Sequence, residues 1–202
     1  MTKECLPKVR IGCDLDGVVA RHSLGGFWVK VRRLKEKLLK KAHSPKYYYP
    51  KSIFEKEAWK VINWLRVPDK EGVSLLRSIK LCLLRERQKD GQLFFLITGR
   101  FEFNYPTTIK WLEKYKLSSL FEEVLVNIKD QDPIEFKVKE VGDQKITHFI
   151  DDDLEVLLAL RKTGAKLYWV VPGHKDGKEN HDSGIINCQN LKEALEKIRI
   201  AS

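Results

Sequence analysis

The chain has 202 residues, 43% of them hydrophobic and 33% charged, with a formal net charge of +10. That length supports one domain of ordinary size, or one domain with an insertion. No apolar run approaches the roughly 18 residues that span a bilayer, Met1–Cys5 form no apolar signal region, and Cys5, Cys13, Cys82 and Cys188 show no zinc spacing. A membrane protein and a zinc module are thereby set aside, and a cytoplasmic protein with reduced thiols is expected.

Residues 8–15 read as a buried strand that ends in Asp14 and Asp16, with Gly17 behind them. In a strand, residues i and i+2 share a face, so both carboxylates can point at one site. Two acids that close repel and desolvate each other. Such a pair is tolerated where a cation or a reaction uses it; the alternative is a solvated, Asp-rich turn.

Residues 22–67 differ in character from the rest. Phe27, Val31, Leu34 and Leu38 recur at helical spacing. Lys30, Arg32, Arg33, Lys35, Lys37, Lys40, Lys41, Lys46 and Lys51 accompany a single acid, Glu36. Such a segment attracts phosphorylated ligands or nucleic acid, unless it is only a solvated helix face. His43–Pro50 is a loop, and its Tyr47, Tyr48 and Tyr49 are suited either to stacking on a base or to packing against the core. Ser52 and Glu55 have capping-box spacing ahead of a helix with Ala58, Val61, Ile62 and Leu65 as its apolar face, ended by Val67-Pro68. A further helix, about 70–89, carries Leu75, Leu76, Ile79 and Leu83 and closes at Asp90-Gly91.

From there strands and helices alternate. Leu93–Ile97 is a strand ending in Thr98-Gly99-Arg100, followed by a helix opened by Pro106. Val124–Val126 is a third strand and about 134–141 a short helix. Ile146–Ile150 is a fourth strand, ending in Asp151, Asp152 and Asp153; a helix over 154–162 stops at Gly164. Lys166–Val171 is a fifth strand, Ile185-Ile186 a short sixth, and 190–199 the last helix. This alternation implies an α/β fold, a Rossmann-like three-layer parallel sheet. Its core is expected in 1–21 and 68–202, with 22–67 a helical cap inserted after the first strand.

Ligands bind outside the carboxyl ends of the strands of an open parallel sheet. Three strands here end in polar residues at that edge: Asp14 and Asp16, Thr98–Arg100, and Asp151–Asp153. A cluster of Asp14, Asp16, Asp151 and Asp152 needs a hard cation, and all-oxygen ligation suits Mg²⁺. One carboxylate can attack phosphorus and a second can protonate the leaving oxygen, then activate water. Thr98, read as lying at a strand-to-helix junction, offers a hydroxyl and N–H groups to phosphate oxygens. Asp153 is better placed as a helix N-cap than as a metal ligand. The fixed positive charge that a phosphoryl group needs falls to Lys137. Lys137 flanks the buried face defined by Ile134, Val138 and Val141, whereas Lys139 points away from it and Lys145 lies at the opposite sheet edge.

Together these residues resemble the haloacid dehalogenase-like superfamily of phosphatases. Asp14-Leu-Asp-Gly-Val18 matches its first motif, Thr98-Gly-Arg100 its second, Lys137 its third and Asp151-Asp152 its fourth. The inserted segment is similar to the cap of the subgroup that includes cytosolic 5′-deoxynucleotidases. The resemblance implies Asp14 as nucleophile and Asp16 as general acid/base. It implies Mg²⁺ held by Asp14, the Asp16 backbone carbonyl and Asp151, with Asp152 ligating directly or through water. Thr98, Gly99, Arg100 and Lys137 would bind substrate, and in order of appearance the strands would run 5-4-1-2-3. The cap carries no matching motif, and His174 and His181 read as solvated loop residues. The expected activity is Mg²⁺-dependent hydrolysis of a small phosphomonoester, with a nucleotide as one candidate. The alternatives are a phosphatase acting on nucleic-acid ends and a catalytically idle domain that binds nucleic acid or protein; the Asp14/Asp16 pair argues against the last.

Overall fold

The structure, a computed structural model, describes residues 9–22, 49–85, 92–171 and 184–201. The basic segment up to Lys46, Tyr47 and Tyr48, the turn at Asp90-Gly91, and the loop carrying His174 and His181 lie outside these residues. Strand β1 (Arg10–Cys13) pairs in parallel with β4 (Leu93–Phe101) on one side and β6 (His148–Asp151) on the other. With β5 (Glu123–Asn127), β7 (Lys166–Val170) and β8 (Ile185–Cys188) the sheet order is β5-β4-β1-β6-β7-β8, all parallel. The expected order is therefore observed, with the sixth strand added at the edge beyond the fifth.

Period-two alternation sorts the strand residues between two cores. Ile11, Cys13, Phe94, Leu96 and Ile150 face one side, against α2 (Lys70–Arg85), α3 (Tyr105–Lys114) and α6 (Leu191–Ala201). Phe95, Ile97 and Phe149 face the other, against α4 (Pro133–Asp143) and α5 (Leu154–Leu160). Both faces are thus covered, as an all-parallel sheet requires. Cys13, Cys82 and Cys188 are free thiols. Among the described residues no helix is long and apolar enough to cross a membrane.

A second, two-stranded sheet joins β2 (Ala20–Arg21) to β3 (Val67–Pro68) antiparallel. Val67-Pro68, read from the sequence as a mere helix stop, therefore also forms a strand. Its partner supplies the hydrogen bonds that no local pattern reveals. This pair closes the segment that begins after Asp16: the Asp69 amide donates to the Val19 carbonyl at 2.8 Å, and Trp111 Nε1 donates to the Arg66 carbonyl at 2.9 Å. Helix α1 (Ile53–Trp64) starts with the expected capping box. Glu55 N donates to Ser52 Oγ and Ser52 N to the Glu55 carboxylate. Its expected apolar face is not buried, however: Val61 is 56% and Leu65 55% exposed. Helix α1 packs instead on α3 and on the 3₁₀ turn Glu102–Asn104, through the face that carries Asn63.

Gly12 sits at the centre of the main sheet. A Cβ there would approach Phe149 ring carbons at 2.7 and 3.0 Å. Gly12→Ala is expected to lower unfolding free energy by about 1–3 kcal/mol through overpacking, read by urea denaturation.

Candidate active site

The carboxyl ends of β4, β1 and β6 lie side by side, because Cys13 is in register with both Leu96 and Ile150. Asp14 follows β1 directly, and its amide donates to the Ile150 carbonyl at 2.9 Å. Its carboxylate and that of Asp151 are both buried, at 4% and 0% exposure. Between them lies the Lys137 ammonium, 3.0 Å from Asp14 Oδ1 and 2.7 Å from Asp151 Oδ2. Helix α4 positions this lysine. Asp132 caps the helix by accepting from the Ile134 and Glu135 amides, and Pro133 occupies the first turn. Lys139 is exposed and pairs with Glu140 and Asp143, while Lys145 lies away from the cavity.

Asp152 completes a group of three. Oxygen atoms of Asp14, Asp151 and Asp152 lie within 4.8 Å of one another. Gly17 makes room for this. Its φ is +82°, and a Cβ there would sit 2.0 Å from Asp152 Oδ2. Asp153 is the N-cap of α5, its carboxylate accepting from the Glu155 amide at 2.9 Å.

Asp16 has a different environment. Its carboxylate accepts from Arg100 Nη2 at 2.6 Å and Arg100 Nε at 2.8 Å, and Arg66 Nε stands 2.9 Å from Oδ1. The Asp16 side chain thus stands outside the three-carboxylate group. Arg100 is not free to meet a substrate as the sequence suggested: its guanidinium holds Asp16, and its Nη1 donates to Thr108 Oγ1. Thr98 is also placed differently. Strand β4 continues through it to Phe101, with a register shift against β5 after Thr98, so the residue is 1% exposed and not at a helix junction. Gly99 abuts Pro133, where a Cβ would meet the ring at 2.8 Å.

Electrostatics divides the acids. Burial raises the Asp14 carboxyl well above its usual range, opposed by Lys137 and reinforced by Asp151. Asp151 is raised by burial against the pull of Lys137. Asp152 is exposed beside the two buried acids, and desolvation, then the Asp151 charge, push it up to about 7. Burial of Lys137 is outweighed by the two carboxylates, which raise its pKa. Asp16 moves the other way. Its burial is overcome by Arg100 and Arg66, which hold it well below the usual carboxylate range.

Three carboxylates against one ammonium leave an excess of buried negative charge. The donors are all hard oxygens, close enough together to share one ion. The residues therefore fit a hard divalent ion such as Mg²⁺. Beside them opens a cavity of about 490 Å³, lined among others by Trp59, Asn63, Arg66, Phe103 and Asn104. None of these five was singled out from the sequence. Arg66, an isolated basic residue ahead of Val67-Pro68, carried no local signal.

No protein-family model matches the sequence, nor does any curated protein. Solved structures do match over nearly the whole chain. An L-2-haloacid dehalogenase is 10% identical, with 96% of this chain and 99% of that one covered and a TM-score of 0.60. A haloacid dehalogenase-like hydrolase from Streptococcus pneumoniae is 14% identical, with 96% and 98% covered and a TM-score of 0.54. A haloacid dehalogenase-superfamily hydrolase from Geobacter sulfurreducens is 12% identical, with 94% and 98% covered and a TM-score of 0.54. The likeness is one of fold: the chain has the haloacid dehalogenase-like α/β architecture.

Removing the shared cation tests the electrostatics. In metal-free buffer at neutral pH, Lys137→Met is expected to cost about 3–5 kcal/mol of stability, because two buried carboxylates lose their partner. Their folded-state pKa values are already raised and rise further in the variant. Groups raised on folding stabilise at low pH and lose that contribution as pH rises, so the deficit should shrink as pH falls toward about 5. Thermal melts of both proteins across that range check it.

Proposed function

We propose that the chain is a Mg²⁺-dependent phosphomonoester hydrolase working through an aspartyl-phosphate on Asp14. The observation that carries this reading is the Asp14–Lys137–Asp151 arrangement at the carboxyl edge of the sheet, with a second acid, Asp16, two residues beyond the first. Lys137 fixes the rotation of the Asp14 carboxylate so that one oxygen can meet phosphorus in line with the leaving group. Asp14, Asp151, Asp152 and the Asp16 carbonyl would hold Mg²⁺, which supplies charge neutralisation for the transferring phosphoryl group. Thr98 and Gly99 would bind phosphate oxygens from β4.

In the first half-reaction the bond from phosphorus to the leaving oxygen breaks as the bond to Asp14 forms, and Asp16 gives its proton to that oxygen. In the second, Asp16 takes a proton from water, which attacks phosphorus and frees Asp14 and inorganic phosphate. Two guanidiniums hold Asp16 ionised, the form that activates water. An incoming phosphate dianion competes for Arg66, and a loosened guanidinium raises Asp16 toward the protonated form. Residues 22–67, to which α1 and Val67 of β3 belong, would act as the cap over the site. Dehalogenation is the weaker reading, although one similar structure is a dehalogenase. A halide departs without needing a proton, so Asp16 would serve only to activate water and its acid role would go unused.

Asp14→Asn should lower phosphatase activity by at least about 10³-fold, because one residue serves attack and ligation. Asp16→Asn should lose far more activity on an alkyl phosphate than on p-nitrophenyl phosphate, whose leaving group needs less acid help. Assays with and without Mg²⁺, on small phosphomonoesters and on a 3′-phosphorylated oligonucleotide, check both. Wild-type turnover by Asp14→Asn, or equal losses for Asp16→Asn on both small esters, would refute the assignments. Preference for the oligonucleotide would favour the nucleic-acid-end reading.

A further inference from the structure

Two side-chain amides are buried at the cavity wall. Asn63 is the only buried residue of α1, at 2% exposure. Asparagine is a poor choice for a helix interior, where its side chain competes with the backbone for hydrogen bonds. Asn104 is 3% exposed and stands at the N-cap of α3, a position where Asn ordinarily caps; its side chain makes no capping bond. Among the described residues the Oδ1 of each is buried without a hydrogen-bond partner. Buried polar groups of this kind are rare and costly unless something else satisfies them.

Both amides line the cavity beside the carboxylate cluster, and each comes with an aromatic ring. Trp59 precedes Asn63 by one helical turn and so shares its face of α1. Phe103 precedes Asn104 directly, with its ring stacked at 6.4 Å on Phe101 and met edge-on by Tyr49 at 6.1 Å. Helix α1 packs on the 3₁₀ turn and on α3, and both amide–aromatic pairs line the one cavity. Amide oxygens and nitrogens are alike in shape, and either end can turn to meet a ligand. The combination of apolar ring faces and unsatisfied amides suits a flat or cyclic group that carries hydroxyl or amide edges.

Building on the phosphatase reading, we propose that Asn63 and Asn104 form a leaving-group subsite for a sugar ring, bare or as part of a nucleoside. The phosphate sits at Asp14 and Lys137, and the ring lies between Trp59 and Phe103 with its polar edge on the two amides. These asparagines are specificity-determining residues that take no part in phosphoryl transfer.

The test compares three primary alkyl phosphates that differ in the ring: ribose 5-phosphate, uridine 5′-monophosphate and cyclohexylmethyl phosphate, with phenyl phosphate as a fourth. The intact protein is expected to favour at least one of the two sugar esters over cyclohexylmethyl phosphate by about tenfold or more in kcat/KM. Asn63→Ala and Asn104→Ala should each reduce that preference by about 10-fold, mainly through KM. Asn63→Leu should reduce it as well while melting no lower than wild type, because the Asn63 Oδ1 has no hydrogen-bond partner among the described residues to lose. A greater effect on the uridine ester than on ribose 5-phosphate would place a base on the aromatic rings; equal effects would confine recognition to the sugar. Hydrolysis of phenyl phosphate with no sugar preference, or losses that are equal on the sugar and cyclohexylmethyl esters, overturns the subsite alone. Absence of hydrolysis of every ester, phenyl phosphate included, overturns the phosphatase reading and the subsite with it.

Discussion

Lys137 lies between two buried carboxylates, 3.0 Å from one and 2.7 Å from the other, and the surrounding structure is arranged so that this contact is made. Asp14 and Asp151 end neighbouring parallel strands in matched register, which forces their charges together. Helix α4 is capped by Asp132 so that its second turn carries Lys137 to the same point. One ammonium does not balance Asp14, Asp151 and Asp152. Burial raises the pKa values of all three acids against the pull of Lys137, and the site is suited to a further, divalent charge.

Asp16 is held by the opposite device. Arg100 comes from β4 in the main sheet, and Arg66 comes from the end of the segment that the small β2–β3 sheet closes. Two carboxylates only two residues apart are therefore driven in opposite directions, Asp14 upward by burial and Asp16 downward by paired guanidiniums. Those shifts leave Asp14 short of the ionised form that attack requires, and a divalent charge in the cluster would draw it back there. Because Arg66 belongs to the segment beside α1, the state of Asp16 is tied to the same part of the chain that lines the cavity.

Much of this was legible in the chain itself. The apolar runs gave strands because both sheet faces are covered, and their polar ends marked one edge of the sheet. Helical phase alone distinguished buried Lys137 from exposed Lys139, and one-residue spacing ahead of a helix marked Asp153 as its cap. Other features depend on contacts distant in sequence. Nothing local distinguishes Arg66 from the other basic residues of its segment; its role arises only when β3 pairs with β2. Asn63 and Asn104 read as ordinary polar residues until α1 packs on the 3₁₀ turn. Thr98 was misplaced at a junction because the pairing with β5, which carries β4 on to Phe101 with a shift in register, is invisible to a local pattern. Val61 and Leu65 followed helical spacing, yet the helix turned Asn63 inward instead.

The central claim is that the excess negative charge of Asp14, Asp151 and Asp152 is a divalent-cation site. Its most direct test is thermal denaturation of the metal-free protein in increasing Mg²⁺ at constant ionic strength. A cation that binds only the folded state raises Tm with a saturable dependence on concentration. The account predicts that rise in the wild-type protein and its loss or marked weakening in Asp151→Asn. A wild-type Tm that stays flat up to about 10 mM Mg²⁺ would contradict it.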